Sequence, residues 1–145
     1  MKQVPLSKSQ IKELSKACEP FGLEFSKKDL IILVDNIYYF KEKKCILFLE
    51  DNTLYPTLHA KPTLPIITVD RGAVPYVVKG ADIMRPGIVS TQEFEKNDLI
   101  LICDHESNMN LAIGKALFSQ KEITDMQKGK VIKMIHYYGD SIYRK

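Results

Sequence analysis

Several things are scarce in this 145-residue chain, and each scarcity narrows what it can be. No apolar run approaches the roughly 18 residues that a membrane-spanning helix needs; the longest candidate, Leu30–Val34, is strand-sized. The opening Met1-Lys2-Gln3-Val4-Pro5 lacks an apolar core and a small-residue cleavage site. No secretory signal is therefore expected, and the expected location is cytoplasmic. There are three cysteines, Cys18, Cys45 and Cys103, far apart and without a C-x-x-C pair. An odd number so spaced disfavours both a disulfide framework and a zinc ribbon, and buried free thiols are expected instead. Glycine-rich phosphate loops are missing: the seven glycines form neither G-x-G-x-x-G nor a P-loop. No serine stands in a nucleophile elbow. Charge of one sign is also not in excess. The net charge is +3. Residues 1–65 carry ten Lys/Arg against eight Asp/Glu, and residues 66–145 eleven against ten. Any basic surface must come from folding, since no basic block exists in sequence.

What is present reads as a soluble globular α+β chain. Ser7, with Gln10 three residues on, is a capping-box start for a helix that places Ile11, Leu14 and Cys18 on one face and Lys8, Lys12 and Lys16 on another. Pro20 and Gly22 end it. Strand candidates follow at 30–34, 37–40, 45–49 and 53–55. Turns are expected at Lys41–Lys44 and Glu50–Asn52. Pro56, Pro62 and Pro65 punctuate a short linker. The expected organisation is an N-terminal domain over 1–64, a helix plus an antiparallel meander, and a second domain over 65–145. In the second, strands are expected near 66–69, 99–103, 111–113, 131–136 and 141–144, with another after Pro86-Gly87. Short helices are expected within 73–83, ended by Gly80, and at 120–127. About six short strands in 80 residues suggest a small barrel.

Candidate metal and acid–base clusters are weak. His59, His105 and His136 lack ligand spacing, and Cys103 with His105 gives at most two ligands on one strand face. Asp104-His105-Glu106 reads as a loop at a strand end rather than a paired-carboxylate site. No catalytic residue, metal ligand or cofactor is assigned.

The segment Val69–Ile88 is the informative one. Gly72, Ala73, Gly80 and Ala81 bracket an apolar stretch, and Arg71, Lys79 and Arg85 surround it. A backbone floor with a cationic rim suits single-stranded nucleic acid. The same residues also read as a helix cap at Gly80 with solvated cations, and the physics alone slightly favours that reading.

The run V-V-K-G-A-D-I-M-R-P-G-I from Val77 to Ile88 resembles the signature of the PUA domain family. Further pieces follow in order: Phe94 with Asn97-Asp98, Leu111–Ala116, Lys128-Gly129-Lys130-Val131, and His136 with Gly139-Asp140. Asn97 stands where the family has glycine. The resemblance implies a C-terminal PUA-type pseudo-β-barrel that binds RNA, often beside a single-stranded 3′ end. It implies an RNA site at Arg71, Gly72, Ala73, Lys79, Gly80, Ala81 and Arg85, with Tyr143 and Arg144 added from the last strand. Amides near Gly80 and Ala81 would contact phosphate or base edges, and Tyr143 would stack on a base. A helix-plus-meander domain before the barrel is similar to the malignant T-cell-amplified family, in its archaeal form. That likeness implies a non-catalytic role in translation, with tRNA or rRNA, the small ribosomal subunit and a translation-factor protein as partners. Two other readings stay open: a detached RNA-recognition subunit for a tRNA or rRNA modification enzyme, and a protein-docking module whose patch is Tyr38, Tyr39 and Phe40.

Overall fold

The computed structural model describes residues 3–40 and 44–145. Its contacts divide the chain into two compact units, one up to Thr63 and one spanning Leu64–Arg144.

The first unit is built on a capped helix and a meander. Ser7 Oγ accepts from the Gln10 amide at 3.2 Å while Gln10 Oε1 accepts from the Ser7 amide at 2.8 Å, so α1 (Lys8–Ala17) starts with both capping-box bonds made. Strands β1 (Val4–Pro5), β2 (Ile31–Val34), β3 (Ile37–Phe40), β4 (Lys44–Glu50) and β5 (Thr53–Pro56) form an antiparallel sheet in that order. Ile11, Leu14 and Cys18 of the helix side meet Ile31, Ile46 and Leu47 of the sheet, and Tyr38 and Phe40 pack onto this core. Burial pushes the Cys18 thiol up to about 11. Tyr38, Tyr39 and Phe40 are all half-buried, so they do not form an exposed patch.

Three points of this half go beyond what the sequence led one to expect or fall outside the described residues. The edge strand β1 was not foreseen; two residues carry no periodicity, and Pro5, lacking an N–H, is tolerated only at such an edge. The expected turn at Lys41–Lys44 lies outside the described residues except for Lys44, which begins β4. The proline-rich stretch carries local structure of its own. Pro56 ends β5, Leu58–Ala60 make a single 3-10 turn, and Thr57 is buried with its hydroxyl donating to the Cys45 carbonyl at 2.6 Å.

The second unit is a six-stranded sheet curled into a half-barrel. Its strands are β6 (Ile66–Val69), β7 (Ile83–Met84), β8 (Ile88–Thr91), β9 (Leu99–Asp104), β10 (Asn110–Ala116) and β11 (Lys130–Tyr137), in the spatial order β7-β11-β10-β9-β6-β8. All pairs are antiparallel except β6 with β9. Two short helices complete it, α2 (Val74–Val77) and α3 (Gln120–Asp125), the latter begun by a second capping box between Ser119 and Glu122. Ile67, Val69, Ile100, Ile102, Ile113, Ile123, Val131 and Ile132 are fully sealed from solvent. Fold class is therefore α+β, a helix-plus-meander unit followed by a curled barrel-like sheet.

Curvature is produced locally. Register shifts occur at Asn110/Ala112 and Ile113/Gly114 of β10 and at Lys130/Ile132 of β11. Bulges of this kind bend a strand and steepen its twist. Gly114 sits at one of them, where a Cβ would come within 2.5 Å of Ile132 Cγ2 and 2.8 Å of the Lys133 carbonyl. The last expected strand, 141–144, is instead a turn after β11. Asp140 holds it by accepting from the Tyr143 amide, which ends the ladder.

Gly114→Ala is expected to lower unfolding free energy by about 2 kcal/mol, because the neighbours on both sides are packed core and backbone. Urea denaturation followed by circular dichroism checks it; a midpoint equal to that of the wild type would show that β10 and β11 can part without cost.

Candidate nucleic-acid interface

The segment between β6 and β8 is a closed strap. The Asp70 amide donates to the Gly87 carbonyl at 2.9 Å, joining its two ends. Asp70 Oδ1 accepts from the Ala73 amide at 2.9 Å and turns the chain into α2. That helix is one turn long, and Gly80, at φ +94°, reverses the chain after it. A side chain at Gly80 would be strained by that φ and would also meet the Tyr137 ring at 2.8 Å. The far end of the strap is held by Asp82. Its Oδ1 accepts from the Met134 amide at 2.7 Å, and its Oδ2 lies 2.9 Å from Lys130 Nζ. Burial alone would raise the Asp82 pKa, but those two donors outweigh it and hold the carboxyl below its ordinary value.

The strap encloses a cleft of about 370 Å³. Gly72, Ala73, Tyr76, Ala81, Met84 and Pro86 are among its lining residues. Two apolar side chains stand out toward solvent there, Tyr76 at 68% and Met84 at 50% exposure. Asp70 and Asp82 also line it, but their carboxylates are committed to the bonds just described. The lining is thus an aromatic and a thioether over small residues, with no cation among them.

The residues expected at the site are only partly gathered here. Gly72, Ala73 and Ala81 line the cleft. Gly80 does not; its missing Cβ makes room for Tyr137. Its amide donates to the Val77 carbonyl and that of Ala81 to the Tyr76 carbonyl, both at 3.0 Å, so these N–H groups are already used within the chain. Arg71 is exposed beside the cleft, its Nε and Nη2 bonded to Glu106 Oε2 at 3.0 and 2.6 Å. Lys79 is exposed. Arg85 turns elsewhere: its Nε donates to the Ile123 carbonyl at 2.7 Å, and it lines a separate hollow with Ser90, Thr91 and Gln120. Tyr143 and Arg144 are not on the cleft lining either. The Tyr143 ring lies 4.7 Å from that of Tyr138 and 6.4 Å from the His136 ring. Arg144 is exposed, its amide bonded to the Asp140 carbonyl.

Tyr76 and Met84 were missed from sequence. The available signal was position: an aromatic midway between two pairs of small residues, on a helix too short to have a buried stripe.

His136 and Asp140 are framework. His136 is fully buried, with Nδ1 2.9 Å from Asp140 Oδ2. An ionised carboxylate only accepts, so Nδ1 carries the proton of that bond. Asp140 also takes the amides of Tyr137 and Tyr143 at 3.0 and 2.7 Å. Burial pushes its pKa up, and these donors together bring it below the ordinary value. Asn97 takes φ +75°, a conformation that asparagine tolerates better than most residues.

The other sequence candidates have local roles. His105 lies in the turn after β9 with Nδ1 2.9 Å from Thr68 Oγ1, and the Cys103 thiol reaches Asn110 Oδ1. The Ser107 hydroxyl, and then the Glu106 amide, lower the Asp104 pKa. Among the described residues no three His, Cys, Asp or Glu side chains are grouped as a metal site. No helix among them is long and apolar enough to cross a membrane.

Comparison with known proteins decides the family. The model of the PUA domain matches residues 65–138. The chain belongs to the PUA-domain family. A Methanocaldococcus jannaschii protein without an assigned function is 33% identical, with 95% of this chain and 93% of that one aligned. Translation machinery-associated protein 20 of Saccharomyces cerevisiae is 32% identical over 81% of this chain and 72% of its own. A conserved PUA domain protein from Thermoplasma acidophilum superposes with a TM-score of 0.84 at 26% identity, covering 99% of this chain and 98% of that one. Both units of the fold are therefore shared. Membership makes the second unit an RNA-binding module. The strap around Tyr76 lies within the matched segment, whereas Tyr143 and Arg144 lie past it.

Asp140→Ala is expected to cost about 3 kcal/mol, since it strands a buried imidazole N–H and two amides. The depressed Asp140 pKa also gives a sign with pH. The stability it contributes is present at neutral pH and is lost as pH falls below about 4, the unfolded carboxylate range. Thermal melts between pH 3 and 7 should show that acid slope in the wild type and a shallower one in the variant.

Proposed function

We propose that this chain is a non-catalytic, cytoplasmic RNA-binding protein of the translation machinery, which seats an unpaired base of tRNA or ribosomal RNA, near a 3′ end, in the Tyr76 cleft. The observation that carries the reading is the cleft itself. An exposed tyrosine and methionine stand over Gly72, Ala73 and Ala81 in a fold of the RNA-binding PUA class. A base has an apolar face and a polar edge. Its face suits the Tyr76 ring, and small residues let the backbone approach its edge. Arg71 and Lys79, exposed near the strap, would meet the phosphates on either side. The Arg71–Glu106 pair is open to water, so exchanging Glu106 for a phosphate costs little. Arg85 would support the strap from behind through Ile123, and Gly80 would do so through Tyr137. Tyr143 and Arg144 would add a flanking contact.

The likeness to translation machinery-associated protein 20 across both units supports placement on the translation apparatus. Within it, the small ribosomal subunit and a translation-factor protein are the proposed partners.

Tyr76→Ala should weaken binding of deacylated tRNA by about 1–3 kcal/mol, the size of one base stack. It should leave the melting temperature nearly unchanged, because the side chain is exposed. The same loss should follow removal of the last three nucleotides of the tRNA from the wild-type complex. Fluorescence anisotropy with both RNAs and both proteins reads it. Equal affinity of the variant and wild type would move the RNA off the cleft.

A further inference from the structure

The first unit carries a basic surface of its own. Lys8, Lys12 and Lys16 recur every four residues along α1 and are all exposed. At 1.5 Å rise per residue they line one side of the helix over about 12 Å. Beside Lys12 and Lys16 lies a hollow of about 290 Å³, whose other lining residues are Ser15, Glu19, Phe25 and Lys27. Its walls are held in place. Ser15 Oγ accepts from the Phe25 amide at 2.9 Å, tying the segment after Gly22 to the helix, and the Phe25 ring rests 6.4 Å from that of Phe40. Lys28 extends the basic side, while the nearby Asp29 carboxylate is turned to the Ser26 amide. Among the described residues none of these lysines is in an ion pair. Three lysines and one acidic residue, Glu19, thus line a shallow hollow, with Glu13 and Glu24 exposed in the neighbouring sequence.

We propose that this lysine face, centred on Lys12, Lys16 and Lys27, is a second RNA contact that grips the phosphate backbone without reading bases. The proposal rests on the RNA reading of the Tyr76 cleft. Lysine is a hydrated point charge on a flexible stem, suited to phosphates of varied geometry and poor at bidentate recognition of bases or carboxylates. The hollow offers one half-buried ring and no apolar row in which a peptide's side chains would anchor. Two weak contacts on one chain gain from effective concentration, so a modest second grip is enough to matter.

The test is binding of full-length deacylated tRNA across a salt series, with four proteins. These are the wild type, K12Q/K16Q/K27Q, the equal-charge control K61Q/K96Q/K121Q, and Y76A. Each altered lysine is exposed and glutamine keeps helix propensity, so the folds should be unchanged by circular dichroism. The hollow variant should lose at least tenfold in affinity at low salt and about 2 to 3 in the slope of log K against log salt. The control should lose less than 1 in slope, and Y76A should lose affinity at constant slope. Equal losses in the hollow variant and the control would overturn the lysine face, as would a hollow variant that binds like the wild type while Y76A fails. Wild-type protein that binds no tRNA would overturn the cleft reading itself. A polyglutamate peptide that binds as tightly as RNA, and is released by the same three substitutions, would assign the face to an acidic protein instead.

Discussion

Asp82 has two carboxylate oxygens and both accept, one from the Met134 amide of β11 and one from Lys130 of the same strand. The strand that follows it, β7, is two residues long and pairs with β11 across a register shift. Two residues of ladder would fray. The carboxylate lengthens that attachment beyond the last backbone pair, and Arg85, whose amide donates to the Gly129 carbonyl at 2.8 Å, secures the other side. With the opposite end closed between Asp70 and Gly87, the strap has three anchors around one short helix. The cleft is therefore a property of the sheet that bears it, set by strands whose side chains fill the core. A site fixed in this way loses little conformational entropy when it binds.

The cleft and its cations are chemically separate, and that separation is what an unpaired nucleotide requires. Stacking favours an apolar, partly dry surface, while phosphates favour hydrated cations that can move. Tyr76 and Met84 supply the first. In the proposed site Arg71 would supply the second, and its pair with Glu106 is so exposed that it adds almost nothing to stability. Arg85 is different. Its Nε is spent on a main-chain carbonyl, so its charge serves the fold first. Two arginines fourteen residues apart, alike in sequence, have been given different work by their partners.

Much of this was legible in the chain. Ser7 with Gln10, the strand-sized apolar runs, and the turn at Pro86-Gly87 depend on interactions within a few residues, and local chemistry specifies those. The family signature is of the same kind, since the spacing from Val77 to Ile88 is the spacing of one strap. What stayed hidden depends on partners far away in sequence. Nothing near Asp82 announces Met134, and nothing near Arg85 announces Ile123. The Gly80 and Ala81 amides looked available because their acceptors lie inside a turn whose closure could not be seen. Residues 141–144 have strand-like composition, yet Asp140 takes the Tyr143 amide and the chain turns. Small residues were similarly ambiguous. Gly72 and Ala81 are open to solvent, whereas Gly80 and Gly87 are small because Tyr137 and Ala73 press on them.

Charge counted along the chain concealed the basic surface as well. Ten against eight in the first half promises nothing, and the helix spacing alone reads as an ordinary solvated face. Folding changes the count by deciding which carboxylates remain available. Asp29 is used by the Ser26 amide. Glu19 alone shares the hollow with Lys12, Lys16 and Lys27. A surface of this kind acts through its number of phosphate contacts and weakens with salt, whereas a stacking cleft acts through shape and is nearly indifferent to it. On the proposed reading, a protein that holds both on one chain would find its RNA by charge and keep its position by the base it seats, and neither contact would have to be strong.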